Sequence, residues 1–337
     1  MKTSIKLGSS KNISNVFLAP MSGVTDYPFR VIASKFGNPN LICEMIASKE
    51  LIKQDKSTIL RAKKHTNNKD IPFIIQLLGR DPNEILEAAK ISVDNGADII
   101  DINMGCPAKK VTSGAAGASL MREPGLAVEI IELLVKKINV PITVKMRLGW
   151  DKNNINVIQL AKELESSGIS MLTVHGRTRD QFYNGNADWN YIAKIKDSLN
   201  VPLIANGDIT SIDKAIECLS ITKADGIMIG RAALGLPWLP GQVQSYFDTN
   251  IEASYLSLNS IYKVIIDHYE MLLSYYGNER GNKISRKHIS WYMSKLNTIH
   301  DPKEFISELF KQTNPVKVRS MIKSYLTYNK RIALNES

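Results

Sequence analysis

Eight short apolar, β-branched runs recur between Val16 and Ile229, each followed by a stretch with helical periodicity, and this alternation limits the fold more than any other feature. The runs are Val16–Ala19, Leu41–Met45, Phe73–Leu77, Ile99–Ile102, Ile142–Lys145, Met171–Val174, Leu203–Ala205 and Gly226–Ile229. Between them lie amphipathic segments at Pro82–Asn95, Pro124–Ile138, Val157–Ser167, Trp189–Leu199 and Ile212–Cys218. Gly96, Gly168 and the Asn200–Val201 pair are suited to helix stops and αβ turns. Strands alternating with helices in this way predict an α/β fold with a parallel sheet. The GxGxxG fingerprint that would follow the first strand of a doubly wound nucleotide-binding sheet is absent. A (β/α)8 TIM barrel is therefore the expected architecture.

After Pro240 the pattern changes to longer helical segments, Ile261–Tyr276, Arg286–Leu296, Pro302–Gln312 and Val316–Tyr328. A small C-terminal α-helical bundle should thus follow the barrel, with residues 1–245 in the first domain and 251–337 in the second. Charge divides the same way. Between Gly281 and Arg331 there are eleven Lys or Arg against three Asp or Glu, so this stretch carries +8 of the net +10. A basic face of this kind suits an anionic partner such as nucleic acid or a phosphorylated cofactor.

The three cysteines, Cys43, Cys106 and Cys218, are far apart and form no CxxC pair, so no metal site built from them is expected. His65, His268 and His300 have no ligand-like spacing either. The N-terminal segment lacks a long apolar core with a small-residue cleavage pattern, and no run is long enough for a bilayer. The expectation is a cytoplasmic protein with no membrane contact, no metal and no obligate protein partner.

In a barrel, chemistry sits where strands end on the C-terminal face. The predicted ends carry Pro20, Met21, Ser22 and Gly23 after the first strand, Glu44 after the second and Gln76 after the third. The fourth ends at Asn103 with Cys106 just beyond, and the fifth at Lys145. The last three end in His175-Gly176-Arg177, Asn206-Gly207-Asp208 and Gly230-Arg231. Gly207 and Gly230 let the backbone approach a ligand, and Arg231 can add a charge-assisted bond to a phosphate. A lysine emerging into the mouth at Lys145 suits the N1/O2 edge of a reduced flavin. Gln76 and Asn206 offer both donors and acceptors to a ring edge.

The segments APMSGVTDYPFR, EMIAS, QLLG, DINMGCPAKKV, VKMRLGW, TVHGRTR, ANGDI and IGRAALGLPW resemble the tRNA-dihydrouridine synthases, especially the bacterial B-type branch. GNKISRKHISWY resembles that family's C-terminal domain. The resemblance implies non-covalent FMN held by Pro20, Met21, Ser22, Gln76, Lys145, His175, Asn206, Gly207, Asp208, Gly230 and Arg231. It implies NADPH as reductant and a D-loop uridine of tRNA as substrate, with position 17 as the B-type expectation. Cys106 matches the family's proton donor. Asn103, Arg177 and Arg179 are candidates for the uracil edge or a nearby phosphate, and Lys109, Lys110, Arg286 and Lys287 for RNA phosphates.

The chemistry imposes a condition on the cysteine. Hydride addition at C6 of uracil leaves charge toward C5 and O4, and a thiol can protonate C5 as general acid only if it starts protonated. An ammonium close to the sulfur would favour thiolate, so Lys109 and Lys110 should point away from Cys106. Two other readings compete: a flavin barrel acting on a free pyrimidine, as in dihydroorotate dehydrogenases, and a non-catalytic RNA-binding barrel. The basic helical segment disfavours the former, and the intact Cys106, Lys145 and His175 the latter.

Overall fold

The computed structural model describes residues 4–7, 11–65, 71–252, 256–296 and 302–335. It opens with an antiparallel hairpin of β1 (Ser4–Leu7) and β2 (Lys11–Ser14). Nine parallel strands follow: β3 (Val16–Leu18), β4 (Asn40–Leu41), β5 (Ile46–Ala47), β6 (Ile74–Leu78), β7 (Ile99–Met104), β8 (Ile142–Arg147), β9 (Met171–His175), β10 (Leu203–Asn206) and β11 (Gly226–Ile229). Their order in the sheet is β4-β3-β11-β10-β9-β8-β7-β6-β5.

The two edge strands, β4 and β5, are halves of the single second strand expected at Leu41–Met45. β4 pairs with β3 on one side and β5 with β6 on the other. Between them the Ile42 N–H donates to Leu18 O (3.4 Å) and the Cys43 N–H to Ile74 O (3.2 Å). The sheet therefore closes on itself as a (β/α)8 barrel. Glu44, expected at a strand end, lies in the interruption, where its buried carboxylate accepts the Gly23 N–H.

Alternation along the strands sorts the side chains. Outward positions such as Ile75, Leu77, Ile100, Ile102, Val144, Leu172 and Ile227 are buried and apolar on the helix side. Inward positions change character with height. At the lower end Phe17, Ile42, Ile74, Ile99, Met171, Ile204 and Met228 form one cluster with Ile5, Leu7 and Ile13 of the hairpin. The hairpin, which the sequence reading missed, thus closes the bottom of the barrel. Two residues further up each strand the same face carries Gln76, Asp101, Thr173 and Asn206; β8 adds Lys145 and then Arg147.

Helices cover the outside and begin where the sequence supplies caps. Asp81 accepts the N–H groups of Asn83 and Glu84 to start Pro82–Asp94, Asp188 caps Trp189–Lys196, and Ser211 caps Ile212–Thr222. The chain divides into two compact units: Met1–Ala232 with Leu239–Ile251, and Ala233–Trp238 with Glu252–Ser337. The helix Leu239–Thr249 thus belongs to the barrel unit, and the six residues before it to the helical one.

The helical unit contains Leu258–Tyr276, Asn278–Lys295, Lys303–Lys311 and Pro315–Asn335. The second of these begins eight residues before the expected Arg286, because the Gly281-Asn282 pair makes packing contacts rather than a turn. A Cβ at Gly281 would lie 2.5 Å from Leu272 O, and Asn282 accepts from Tyr269 Oη (3.1 Å) and donates to Gln312 O (3.0 Å). Tyr292 is core, and its hydroxyl meets His268 Nδ1 at 3.1 Å. His300 lies outside the described residues.

Burial pulls His268 down to about 3 and His288 well below its ordinary value of 6.5, so both are neutral in the fold. His65, in the barrel unit, is likewise pulled down to about 3 by burial and by Arg30. An unfolded chain takes up these protons as pH falls through 6.5 while the folded one does not. Stability is present above pH 6.5 and should fall toward pH 3, by up to about 1.4 kcal/mol per pH unit for each histidine. Denaturant titrations at pH 7, 5 and 4 measure this; a flat profile would contradict it.

Candidate active site

The register of the sheet brings the polar residues to one rim. Asn103 is level with Lys145, and Arg147 and Asn206 with His175. Lys145 Nζ donates to Asn206 Oδ1 (3.1 Å), whose amide donates to Met228 O (2.8 Å). Burial and the Arg147 charge pull the Lys145 ammonium down to about 8. His175 is buried and surrounded by Lys145, Arg147, Arg177 and Arg231; burial first, then these cations, hold it well below 6.5. Arg177 Nη1 lies 3.2 Å from His175 Nε2. A guanidinium only donates, so Nε2 accepts and the ring proton sits on Nδ1.

Cys106 follows β7 in a turn held at several points. Its N–H donates to Asn103 Oδ1 (2.9 Å), as does that of Gly105 (3.1 Å). The Cys106 carbonyl accepts from the Ala118 N–H (3.2 Å), and the Gly105 carbonyl from Arg147 Nε (2.9 Å). A Cβ at Gly105 would press on the Met146 backbone at 3.3 Å, so glycine lets the turn lie against β8. Gly117, at φ +61°, packs on Cys106 with similar closeness. Burial raises the thiol's pKa above its ordinary value of 9.0, against opposing pulls from the Ala108 N–H, Arg147 and Lys145. The thiol is protonated at neutral pH. The cations acting on it come from β8, whereas Lys109 and Lys110 are exposed on the short helix Lys109–Thr112.

This chain is similar to several curated proteins along nearly its whole length. The dihydrouridine synthase (Dus) family model matches residues 17–327. A "Probable tRNA-dihydrouridine synthase" from Rickettsia bellii is 45% identical over 96% of this chain and 98% of its own. A "tRNA-dihydrouridine synthase B" from Pasteurella multocida is 42% identical over 89% of this chain and 93% of its own. The chain belongs to the dihydrouridine synthase family. Among solved structures, an old yellow enzyme homologue from Zymomonas mobilis matches the fold with a TM-score of 0.53 at 15% identity, over 77% of this chain and 95% of that one.

Within this dihydrouridine synthase fold several residues expected at the ligand also hold the protein together. Arg177, expected at the uracil edge or a phosphate, is 1% exposed. Its guanidinium donates to the carbonyls of Asn184 (3.1 Å) and Gly185 (2.6 Å) and to both Asp208 oxygens (2.8 and 2.7 Å). Asp208, at φ 57°, also accepts from the Ala187 N–H (2.7 Å) and Arg231 (3.3 Å). Its carboxylate therefore ties three loops together. Gly207 is needed for packing, since a Cβ there would come within 2.6 Å of Ala187 and 2.9 Å of His175. Asn103, expected on the base, turns its carbonyl to the cysteine turn and its amide to Gln76 Oε1 (2.7 Å). Gln76 in turn is the third residue of β6, not its end, and is fully buried.

Arg147 is a site residue that the sequence reading passed over. It is 2% exposed and donates from Nε to Gly105 O and from Nη1 to Thr178 O (2.7 Å), joining the cysteine turn to the loop after β9. The available signal was its spacing: two residues past Lys145, it must share that residue's inward face. On the outer rim Trp150 lies between the guanidiniums of Arg122 (4.7 Å) and Arg179 (4.5 Å), and Arg179 also donates to Thr112 Oγ1 (3.3 Å). In the helical unit Arg286 is partly covered, 5.8 Å from the Phe310 ring.

Proposed function

We propose that this chain is a tRNA-dihydrouridine synthase of the B-type branch, an FMN-dependent and NADPH-driven enzyme that saturates the C5=C6 bond of a D-loop uridine, position 17 being the expected target. The observation that supports this most is the Cys106 thiol, kept protonated by burial on a pinned turn at the polar rim of a barrel of this family.

The rim residues fit a flavin mononucleotide. A Cβ added at Gly230 would meet only Ala19 (3.7 Å) and Met21 (4.0 Å), so its backbone is open to a phosphate, with half-exposed Arg231 beside it. Lys145 offers a cation, and His175 Nδ1 a donor, to the ring edge where charge collects. Pro20, Met21 and Ser22 would line the site from the end of β3, while Gln76, Asn206, Gly207 and Asp208 hold the other groups in place. Bound and reduced in this site, a flavin would supply the hydride taken up at C6. Cys106 gives its S–H proton to C5, and the thiolate that forms is met by the Arg147 and Lys145 charges. These cations are too weak to ionise the buried thiol in advance but favour it as it ionises.

The target base must leave its stack to reach this rim. Exposed Lys109 and Lys110, with Arg122, Arg179 and Trp150, offer phosphate and stacking contacts around the mouth. Arg286, Lys287 and the basic Gly281–Arg331 segment, with its net +8, offer sequence-independent ones. The purified protein should be yellow and, with NADPH, should reduce unmodified tRNA far faster than free uridine. Comparable rates on free uridine would favour the small-molecule reading. Affinity for tRNA should fall roughly 10³-fold between 50 and 200 mM salt if it neutralises about six phosphates.

A further inference from the structure

Beneath the cysteine turn runs a buried chain of hydrogen bonds that begins on a carboxylate. Asp101, 1% exposed, accepts from Thr143 Oγ1 at Oδ1 (2.6 Å) and from Gln76 Nε2 at Oδ2 (2.6 Å). Gln76, with its amide nitrogen fixed toward Asp101, presents Oε1 to Asn103 Nδ2 (2.7 Å). Asn103, its nitrogen so occupied, presents Oδ1 to the N–H groups of Cys106 and Gly105. Each amide has two orientations of nearly equal shape, and only one serves the turn. Were Asn103 reversed, two N–H donors would face an NH₂ group and the turn would lose its anchor.

We infer that Asp101 is the positioning residue for Cys106: it fixes the polarity of the Gln76 and Asn103 amides and thereby the seat of the reactive thiol. A carboxylate suits the root of the chain because the oxygen facing Gln76 can only accept, even if the other carries a proton. An asparagine at 101 can do the same. Its oxygen would face Gln76 and its nitrogen the Thr143 hydroxyl, which can accept as well as donate. A leucine cannot. The functional meaning of this chain rests on the proton-donor role proposed for Cys106, but its effect on the turn can be read without turnover.

Alkylation of Cys106 by iodoacetamide, followed by peptide mass spectrometry against pH in the full chain as purified, reports the thiol directly. Cys218 serves as the internal control, being buried with its pKa raised to about 12. In Asp101→Leu the loosened turn exposes the sulfur, so the alkylation midpoint should move down by about one pH unit and the rate near neutrality rise about tenfold. Asp101→Asn should keep the wild-type profile, and Asp101→Leu should add nothing in an Asn103→Ala background. A wild-type profile in Asp101→Leu, or full additivity with Asn103→Ala, overturns the inference. Should Asp101→Leu fail to fold, Gln76→Met cuts the chain one link later and must show the same shift. Normal turnover by Cys106→Ala would sink the acid role and leave this series standing, whereas an unchanged alkylation profile would sink the relay whatever the turnover.

Discussion

Replacing Cys106 with alanine should slow uridine reduction by roughly 10²- to 10⁴-fold, the range a positioned general acid contributes, while NADPH continues to reduce the flavin. The two half-reactions separate because the thiol has work only when a uracil is present. Stopped-flow bleaching of the flavin by NADPH reads the first, and its reoxidation by tRNA the second. Normal reoxidation by tRNA in the variant would show that C5 takes its proton elsewhere. The pH dependence follows from burial of the thiol, which raises its pKa above 9.0. The acid form is complete below that value and is lost as pH rises through it, so the rate of reoxidation should hold through neutrality and decline only in alkali.

Arg147→Leu should cost about 2–6 kcal/mol of stability, because it leaves the carbonyls of Gly105 and Thr178 without their donor at about 1–3 kcal/mol for each buried unpaired group. Chemical denaturation of the barrel unit measures this. Arg147→Lys should not restore the loss. The two carbonyls are reached from Nε and Nη1, two separated points of one planar fork, and a single ammonium cannot occupy both. The guanidinium is itself under pressure, with burial pulling it down to about 10, yet it remains charged at neutral pH. A variant as stable as wild type would mean that the cysteine turn holds without its tie to the loop after β9.

The barrel was legible because each strand is a short apolar run with a helix after it, and seven of the eight expected strands lie within two residues of where they form. The exception, at Leu41–Met45, fails for a physical reason: nothing in the composition of LICEM says that a carboxylate would turn inward to the Gly23 N–H and break the ladder. The hairpin was missed because its strands are four residues each and carry only three buried aliphatics, Ile5, Leu7 and Ile13. At the site, sequence gave the right residue types at the strand ends but could not say where their hydrogen bonds go. Arg177, Asp208 and Asn103 are polar, sit beside the mouth and have every appearance of ligand contacts. Only coordinates reveal that their donors and acceptors are already engaged with loops and turns.

The excursion of Ala233–Trp238 into the helical unit bears on how the chain is made. Within that unit Gly235, at φ +74°, lies so close to the Trp291 carbonyl that a Cβ would stand 2.2 Å from it, and Trp238 stacks with Tyr292 at 6.3 Å between ring centroids. On a ribosome these six residues emerge well before the helix Asn278–Lys295 that receives them, while the barrel on either side of them can already close. They must wait through more than forty residues of synthesis with a tryptophan uncovered. The helical unit therefore cannot be excised as one continuous fragment, and a separate helical domain is better sought by rejoining Ala233–Trp238 to its N-terminus than by cutting after Ile251.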